Sequence, residues 1–404
     1  MKNLLSVRQR IVAATSLLLV SAWATTAWGQ SYPVGVANPS TITSYPFDLD
    51  VFTDRTADAV VTDSVAPQIA LLRGSESGGL DAPVIMPAVP TAYPPAVHDY
   101  NSDFYLDLVL RGVGPNGPGL YLMLNNGAGG FSAPEMIPGS DISAGGVGGP
   151  AAADVNGDAI PDVVQSGSQT DPAGFHMYLF VGDGLGGFQR GQHRIGGPAS
   201  CAPAGACLNY TNPLVADLNG DGLGDIAALR FSGAGMSRSV ILGVYLGNPD
   251  GTFSIAYSRT LFTTISQNWW TLSSSGDLNG DGAIDLLIAP QTPNPGIFIV
   301  VAWGDGSGRF DTSRNFTVSR ARKPIIWDIN FDGIQDMIML TSEGYRVYLG
   351  QGGGEFTEVG GVERGDDYDF PDQDLDGHYD LLLLNRSSGS ITVLRGDGIG
   401  GFSR

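Results

Sequence analysis

Cysteine, histidine and charge are all scarce in this 404-residue chain: two cysteines, four histidines and 15% charged residues. Two cysteines cannot build a zinc cluster or a disulfide framework. Cys201 and Cys207, in "CAPAGAC", are instead expected to form one local disulfide that staples a loop. The histidines are dispersed, with His98 and His378 inside acidic loops and His176 and His193 alone. No HExxH, GxSxG, P-loop or helix-opening GxGxxG pattern occurs, so no catalytic or organic-cofactor residue is assigned. No stretch holds a 3.6-residue apolar period, which leaves few helices to expect. Basic residues are also short, 21 Lys+Arg against 41 Asp+Glu, for a net charge of −20. Such a surface repels nucleic acid and anionic lipid, and suits cations.

Glycine and turn formers are abundant: Gly 58 and Pro 25 read as many turns between short strands. The first 29 residues differ from the rest. Lys2, Arg8 and Arg10 precede the apolar "IVAATSLLLVSAW", and "TTAWG" ends in small residues before Gln30. This reads as a secretory signal peptide over 1–29, leaving 30–404 as the mature chain. Its apolar run, and every later one, falls short of the ~20 residues a membrane helix needs. A soluble, exported protein with no transmembrane segment is expected, secreted to the cell surface or medium, or kept in a periplasm. A monomer is expected.

An acidic nine-residue pattern recurs: Asp at position 1, Asn or Asp at 3, Asp at 5, usually Gly at 6, Asp at 9, then an apolar run. The clear copies are "DVNGDAIPD" (154–162), "DLNGDGLGD" (217–225), "DLNGDGAID" (277–285), "DINFDGIQD" (328–336) and "DQDLDGHYD" (372–380). "DYNSDFYLD" (99–107) keeps the acidic positions but has Phe104 in place of glycine. "DVFTDRTAD" (50–58) is degenerate, with Phe52 where a ligand would be and Arg55 bringing a positive charge, and is better described as a metal-free turn. After each loop comes a strand, a glycine-rich turn and an aromatic, as in "VGDGLGGF" (181–188) and "WGDGSGRF" (303–310). Seven loops alternate with seven such turns, and the loop starts lie 49, 55, 63, 60, 51 and 44 residues apart. Repeats of this length with several strands each describe a β-propeller. Each repeat parses as four strands, for example "NPLVA", "IAALRF", "VILGVYL" and "FSIAYSRT" between 212 and 260. The last repeat lacks its outermost strand, so part of "SYPVGVANPSTIT" (31–43) is expected to supply it and close the ring.

These repeats resemble the FG-GAP or VCBS family, the blades of integrin α-subunit propellers and of many bacterial exported proteins. "GGFSAP" (129–134) is also typical of that family, and the resemblance covers about residues 45–402. It implies an all-β, seven-bladed β-propeller of one domain, with calcium-binding loops between the first and second strands of the blades. The residue chemistry agrees, since calcium takes 6–8 hard oxygen ligands and alternate spacing points three side chains at one centre. An EF-hand is excluded, because position 12 is Ala228 or Ile288 and strand-like residues follow. The expected ligand sets are Asp154, Asn156, Asp158, Asp162; Asp217, Asn219, Asp221, Asp225; Asp277, Asn279, Asp281, Asp285; Asp328, Asn330, Asp332, Asp336; and Asp372, Asp374, Asp376, Asp380. A weaker set is Asp99, Asn101, Asp103 and Asp107, which makes about five or six calcium sites. The four carboxylates of 372–380 should bind most tightly.

Acidic loops and glycine turns fall on one face of such a disc, and the longer connections on the other. Tyr210, beside the cysteines, and Trp269 and Trp270 are the first candidates for ligand contact there, with packing of the tryptophans between blades the plainer alternative. Two RGD tripeptides, at 364–366 and 395–397, carry little specificity. Function reads as a lectin-like or adhesion module for an extracellular carbohydrate or protein. The alternative is a polysaccharide lyase or hydrolase on the same calcium-stabilised scaffold.

Overall fold

The computed structural model describes residues 30–45, 56–75, 78–141, 148–166, 177–195, 207–208, 213–232, 238–264, 270–290, 298–318 and 321–404. Its strands pair into seven antiparallel sheets in chain order. The sheets cover residues 39–87, 96–136, 151–195, 207–264, 270–317, 322–360 and 367–403, and are called blades 1 to 7 below. Among the described residues no helix occurs.

The second strand of each blade explains why the sequence folds this way. Asp225–Ser232 is buried on both faces for most of its length. Ala227, Leu229 and Phe231 point to a cluster shared with blade 5, while Ile226 and Ala228 point to one shared with blade 3. The two-residue period of a strand therefore serves two neighbours at once, which is why these runs are continuously apolar. Seven hydrophobic clusters result, and each straddles one blade junction, the junction of blade 7 with blade 1 included. The product is an all-β seven-bladed propeller.

The ring closes at residues 31–33. Ser31–Pro33 runs antiparallel to the third strand of blade 7, with Ser31 opposite Thr392 and Pro33 opposite Ser390. At the other end of that same strand, Arg395 and Gly396 pair with Ser403 and Phe402. The outermost strand of blade 7 is thus built in two pieces, one from each end of the chain. Pro39–Tyr45 is instead the first strand of blade 1. It is tied to blade 7 by the Ile42 N–H, which donates to Asp367 Oδ2 (3.1 Å), and by Arg386, which donates to the Ser40 carbonyl.

Trp270 packs between blades, which corrects its place among the ligand-contact candidates and favours the alternative. It is 2% exposed and lies in the cluster between blades 4 and 5, its ring 4.6 Å from Phe262 and 5.3 Å from Phe298. Its large apolar area is satisfied inside the junction, so it is core and not surface. Tyr210, Trp269, Cys201 and residues 1–29, where a leader is expected, lie outside the described residues. Of Cys207 only the backbone is described, pairing with Ser232.

Candidate metal centres

The acidic loops at 99, 154, 217, 277, 328 and 372 each connect the first and second strands of a blade, and their backbones wrap around their own side chains. In 217–225, Asp217 Oδ1 accepts from the Gly220 and Asp221 N–H groups (2.7 and 3.1 Å), and Oδ2 from Gly222 (2.8 Å). Asn219 Oδ1 accepts from the Asp221 N–H, and Asp221 Oδ1 from that of Leu223. The same pattern recurs at 277–285, and with minor variations at 154–162, 328–336 and 99–107. Positions 1, 3 and 5 converge in every one of these loops.

The wrap requires a left-handed backbone at two positions, 4 and 6. The sequence pattern points to glycine at position 6, where φ is +86° at Gly222 and +89° at Gly282. Position 4 is its equal, at +77° for Gly220 and +78° for Gly280. Residues with side chains occupy the same geometry in other loops, among them Phe104 (+73°), Ala159 (+67°), Phe331 (+58°) and Leu375 (+60°). An L-residue there carries a conformational penalty that glycine does not. Phe104 is 85% exposed and so has little burial to lose. Phe104→Gly is expected to stabilise the protein by about 0.5–1 kcal/mol, read as a higher denaturant midpoint. No gain would mean that the loop relaxes around the side chain.

Position 9 has a different task. Asp285 is fully buried, its Oδ2 accepts from the Leu278 N–H (2.9 Å), and its Oδ1 accepts from the Gly304 N–H on the third strand (2.9 Å). Asp107, Asp162, Asp225, Asp336 and Asp380 make the same two bonds. Asp58, at the end of the degenerate loop, takes the Gly74 N–H in the same way. This aspartate therefore rivets the acidic loop to the strand that leads into the glycine turn.

The sequence reading missed the residue on the other side of that rivet. Gly304 lies so close to the Ile284 carbonyl, at position 8, that a Cβ would sit 2.2 Å from its oxygen. Gly74, Gly182, Gly247, Gly350 and Gly396 are held against the equivalent carbonyls. In blade 2 the residue is Asn125, whose side-chain amide donates to the Leu106 carbonyl (3.2 Å). The signal was present in the glycine that precedes each turn. The turns add a second grip, because the Gly186, Gly308 and Gly353 N–H groups each donate to the acidic loop of the preceding blade. The loops at 99–107, 217–225 and 277–285 are thereby braced both within the blade and across a junction.

The 372–380 loop stands apart. Ligand oxygens of Asp372, Asp374 and Asp376 all lie within 4.8 Å of one another. Asp372 Oδ1 is buried and has no hydrogen-bond partner. A hard divalent cation satisfies that oxygen and the clustered charge together, so the donor set fits calcium. Beside it, Arg395 contacts Asp376 Oδ2 (2.6 Å) and Asp374 Oδ2 (3.4 Å). The guanidinium already neutralises part of the loop expected to bind most tightly. It also accounts for the RGD at 395–397, whose Asp397 Oδ1 accepts from the Ile399 and Gly401 N–H groups of the turn. In the other tripeptide, Asp366 pairs with Arg322 at 3.3 Å.

With both halves of the repeat placed, the comparisons with known proteins become interpretable. The model of the FG-GAP-like repeat family matches residues 99–164 and 217–288, each stretch running from one acidic loop to the second strand of the next blade. The chain is a seven-bladed propeller that carries FG-GAP-like repeats over those two stretches. No curated protein matches the sequence. Among solved structures it is similar to an Agrocybe aegerita lectin described as recognising non-reducing terminal N-acetylglucosamine, with 18% identity, 86% of each chain covered and a TM-score of 0.55. It is also similar to BBS1N, solved in complex with ARL6DN, with 10% identity, 91% of this chain and 93% of that one covered and a TM-score of 0.50. At these identities the likeness is one of fold.

The acidic loops are electrostatically costly. Burial, reinforced by the carboxylates at positions 1 and 5, pushes Asp107, Asp162, Asp285 and Asp336 up to about 6; burial, reinforced by Asp374 and Asp376, pushes Asp380 up to about 7. Hydrogen bonds from the backbone oppose the rise without cancelling it. A carboxyl whose folded value exceeds its unfolded one binds its proton more tightly when folded. Its contribution is present in full below about pH 4 and is lost as pH rises through about 6–7. In EGTA, melting temperature is accordingly expected to fall between pH 5 and pH 8, and Asp285→Asn to flatten that slope. A slope identical in the variant would remove position 9 as its cause.

Proposed function

We propose that the protein is an exported, calcium-stabilised propeller that serves as a binding module for an extracellular glycan or protein. The observation that carries the calcium part is the unpartnered, buried Asp372 Oδ1 inside a three-aspartate group. Positions 1, 3 and 5 of the loops at 99, 154, 217, 277, 328 and 372 would hold the ion, with position 9 closing the cage. Calcium there neutralises charge and fixes turns, a structural role. Extracellular modules bind calcium with dissociation constants of about 10⁻⁴–10⁻³ M, which fills such sites outside the cytosol.

The binding part is supported by the placement of the loops. They use up one face of the disc and leave the other to the connections between strands and blades, where a rigid scaffold offers variable surface. The structural likeness to a lectin agrees with this reading. The test is a glycan array probed with and without EGTA, run beside reducing-end and unsaturated-product assays. Calcium-dependent binding with no product is expected. Calcium-dependent release of product would replace the module with a polysaccharide-active enzyme, and a blank array would leave protein as the ligand class.

A further inference from the structure

A cavity of about 170 Å³ opens on the face opposite the acidic loops, where blades 1, 2 and 3 meet. Its lining includes Tyr93 from the connection between blades 1 and 2, Arg111 and Val113 from the second strand of blade 2, and Pro118 from the third. Gln165 and Ser166, ending the second strand of blade 3, complete it. The Arg111 guanidinium lies 5.2 Å over the Tyr93 ring and donates to the Gly148 carbonyl. That stacking and bond hold a cation in a fixed place at the cavity wall.

Gln165 is the decisive residue. It is 3% exposed, and its Nε2 donates to the Ser166 carbonyl (3.0 Å) and approaches Ser166 Oγ (3.4 Å). Its Oε1 is buried and has no partner. Turning the amide over would set Oε1 against a carbonyl, so the orientation is fixed by that acceptor. A buried acceptor left unmade costs about 1–3 kcal/mol, so a donor from outside the chain is called for. The neighbouring Ser140 hydroxyl cannot serve, since it is engaged with Leu120 at both N–H and carbonyl.

We propose that this cavity receives a single saccharide unit, the end group of a glycan, with one sugar hydroxyl donating to Gln165 Oε1 and other oxygens of the sugar accepting from Arg111. This rests on the binding-module reading above and gives it a place. The volume suits one ring: it would otherwise hold about five or six waters, too little for an extended chain. Val113 and Pro118 offer apolar wall to the C–H faces of a sugar, while Gln165 and Arg111 address its hydroxyl edge. Burial lowers the Arg111 affinity for its proton, and oxygen ligands at the guanidinium relieve that cost.

The test uses calcium-loaded protein and saturation-transfer NMR with free glucose, galactose, N-acetylglucosamine and glucuronic acid, followed by titration of any that respond. At least one is expected to bind in the millimolar range. Gln165→Met, which removes the acceptor at similar volume, and Tyr93→Ala, at a half-buried position, are each expected to weaken it at least tenfold. Melting curves show whether the variants remain folded, and Tyr93→Ala keeps the test open if Gln165→Met does not. No response from any sugar, or a response that both variants leave intact, overturns the assignment and leaves the cavity to water. Glycan-array binding that survives both variants would overturn the cavity alone. An array that stays blank while the cavity binds no sugar would sink the glycan reading with it.

Discussion

Protein stripped of metal and held in EGTA is expected to melt roughly 10–20 °C below the same protein in 10 mM calcium. At that concentration a site with a dissociation constant of about 10⁻⁴–10⁻³ M adds about 1.4–2.7 kcal/mol of stability. Several sites acting together approach the ~5–15 kcal/mol that holds a typical domain folded. The effect is large because the loops are wrapped before any ion arrives: in 277–285 the Asp277 carboxylate already accepts from Gly280, Asp281 and Gly282. Little ordering remains to be done by binding, so most of its free energy appears as stability. Magnesium should substitute poorly, since it demands a smaller octahedral cage. Scanning calorimetry in EGTA, calcium and magnesium decides it, and indifference to calcium would remove the metal reading of every loop.

The sequence made the architecture legible because the repeat writes two halves of each blade in different alphabets. Carboxylates mark the first connection, glycine and an aromatic mark the third, and continuous apolar runs lie between. What it did not disclose were relations across space. Position 9 reads as one more carboxylate in a row of four, yet Asp285 binds the backbone of a strand 19 residues on. The glycine it meets looks like part of the turn, while its requirement comes from the carbonyl of Ile284. Arg395 belongs to the turn in sequence and to the acidic loop in space, which changes the standing of the loop with most carboxylates. Trp270 adjoins irregular sequence and could be read there as a ligand contact or as packing between blades, whereas two rings, Phe262 and Phe298, hold it in a junction. The two-part outer strand of blade 7 likewise depends on the ends of the chain meeting on one neighbour.

That division of labour within one loop has a measurable consequence. Asp285→Ala is expected to lower stability by about 2–6 kcal/mol even without metal, because the Leu278 and Gly304 N–H groups lose their acceptor together, at about 1–3 kcal/mol each. Asp281→Ala, four residues away at position 5, removes an exposed acceptor for the Ala283 N–H. Water can replace it, so the metal-free cost should stay within about 1 kcal/mol. In calcium each variant also loses an ion, so both losses should grow while the gap between them persists. Denaturant unfolding at 10 °C in EGTA, with sulfate added to keep the stripped protein folded, separates the two outcomes. Equal losses from both variants in EGTA would mean that position 9 is only another ligand, and that the bond from Asp285 to Gly304 does not hold the two halves of the blade together.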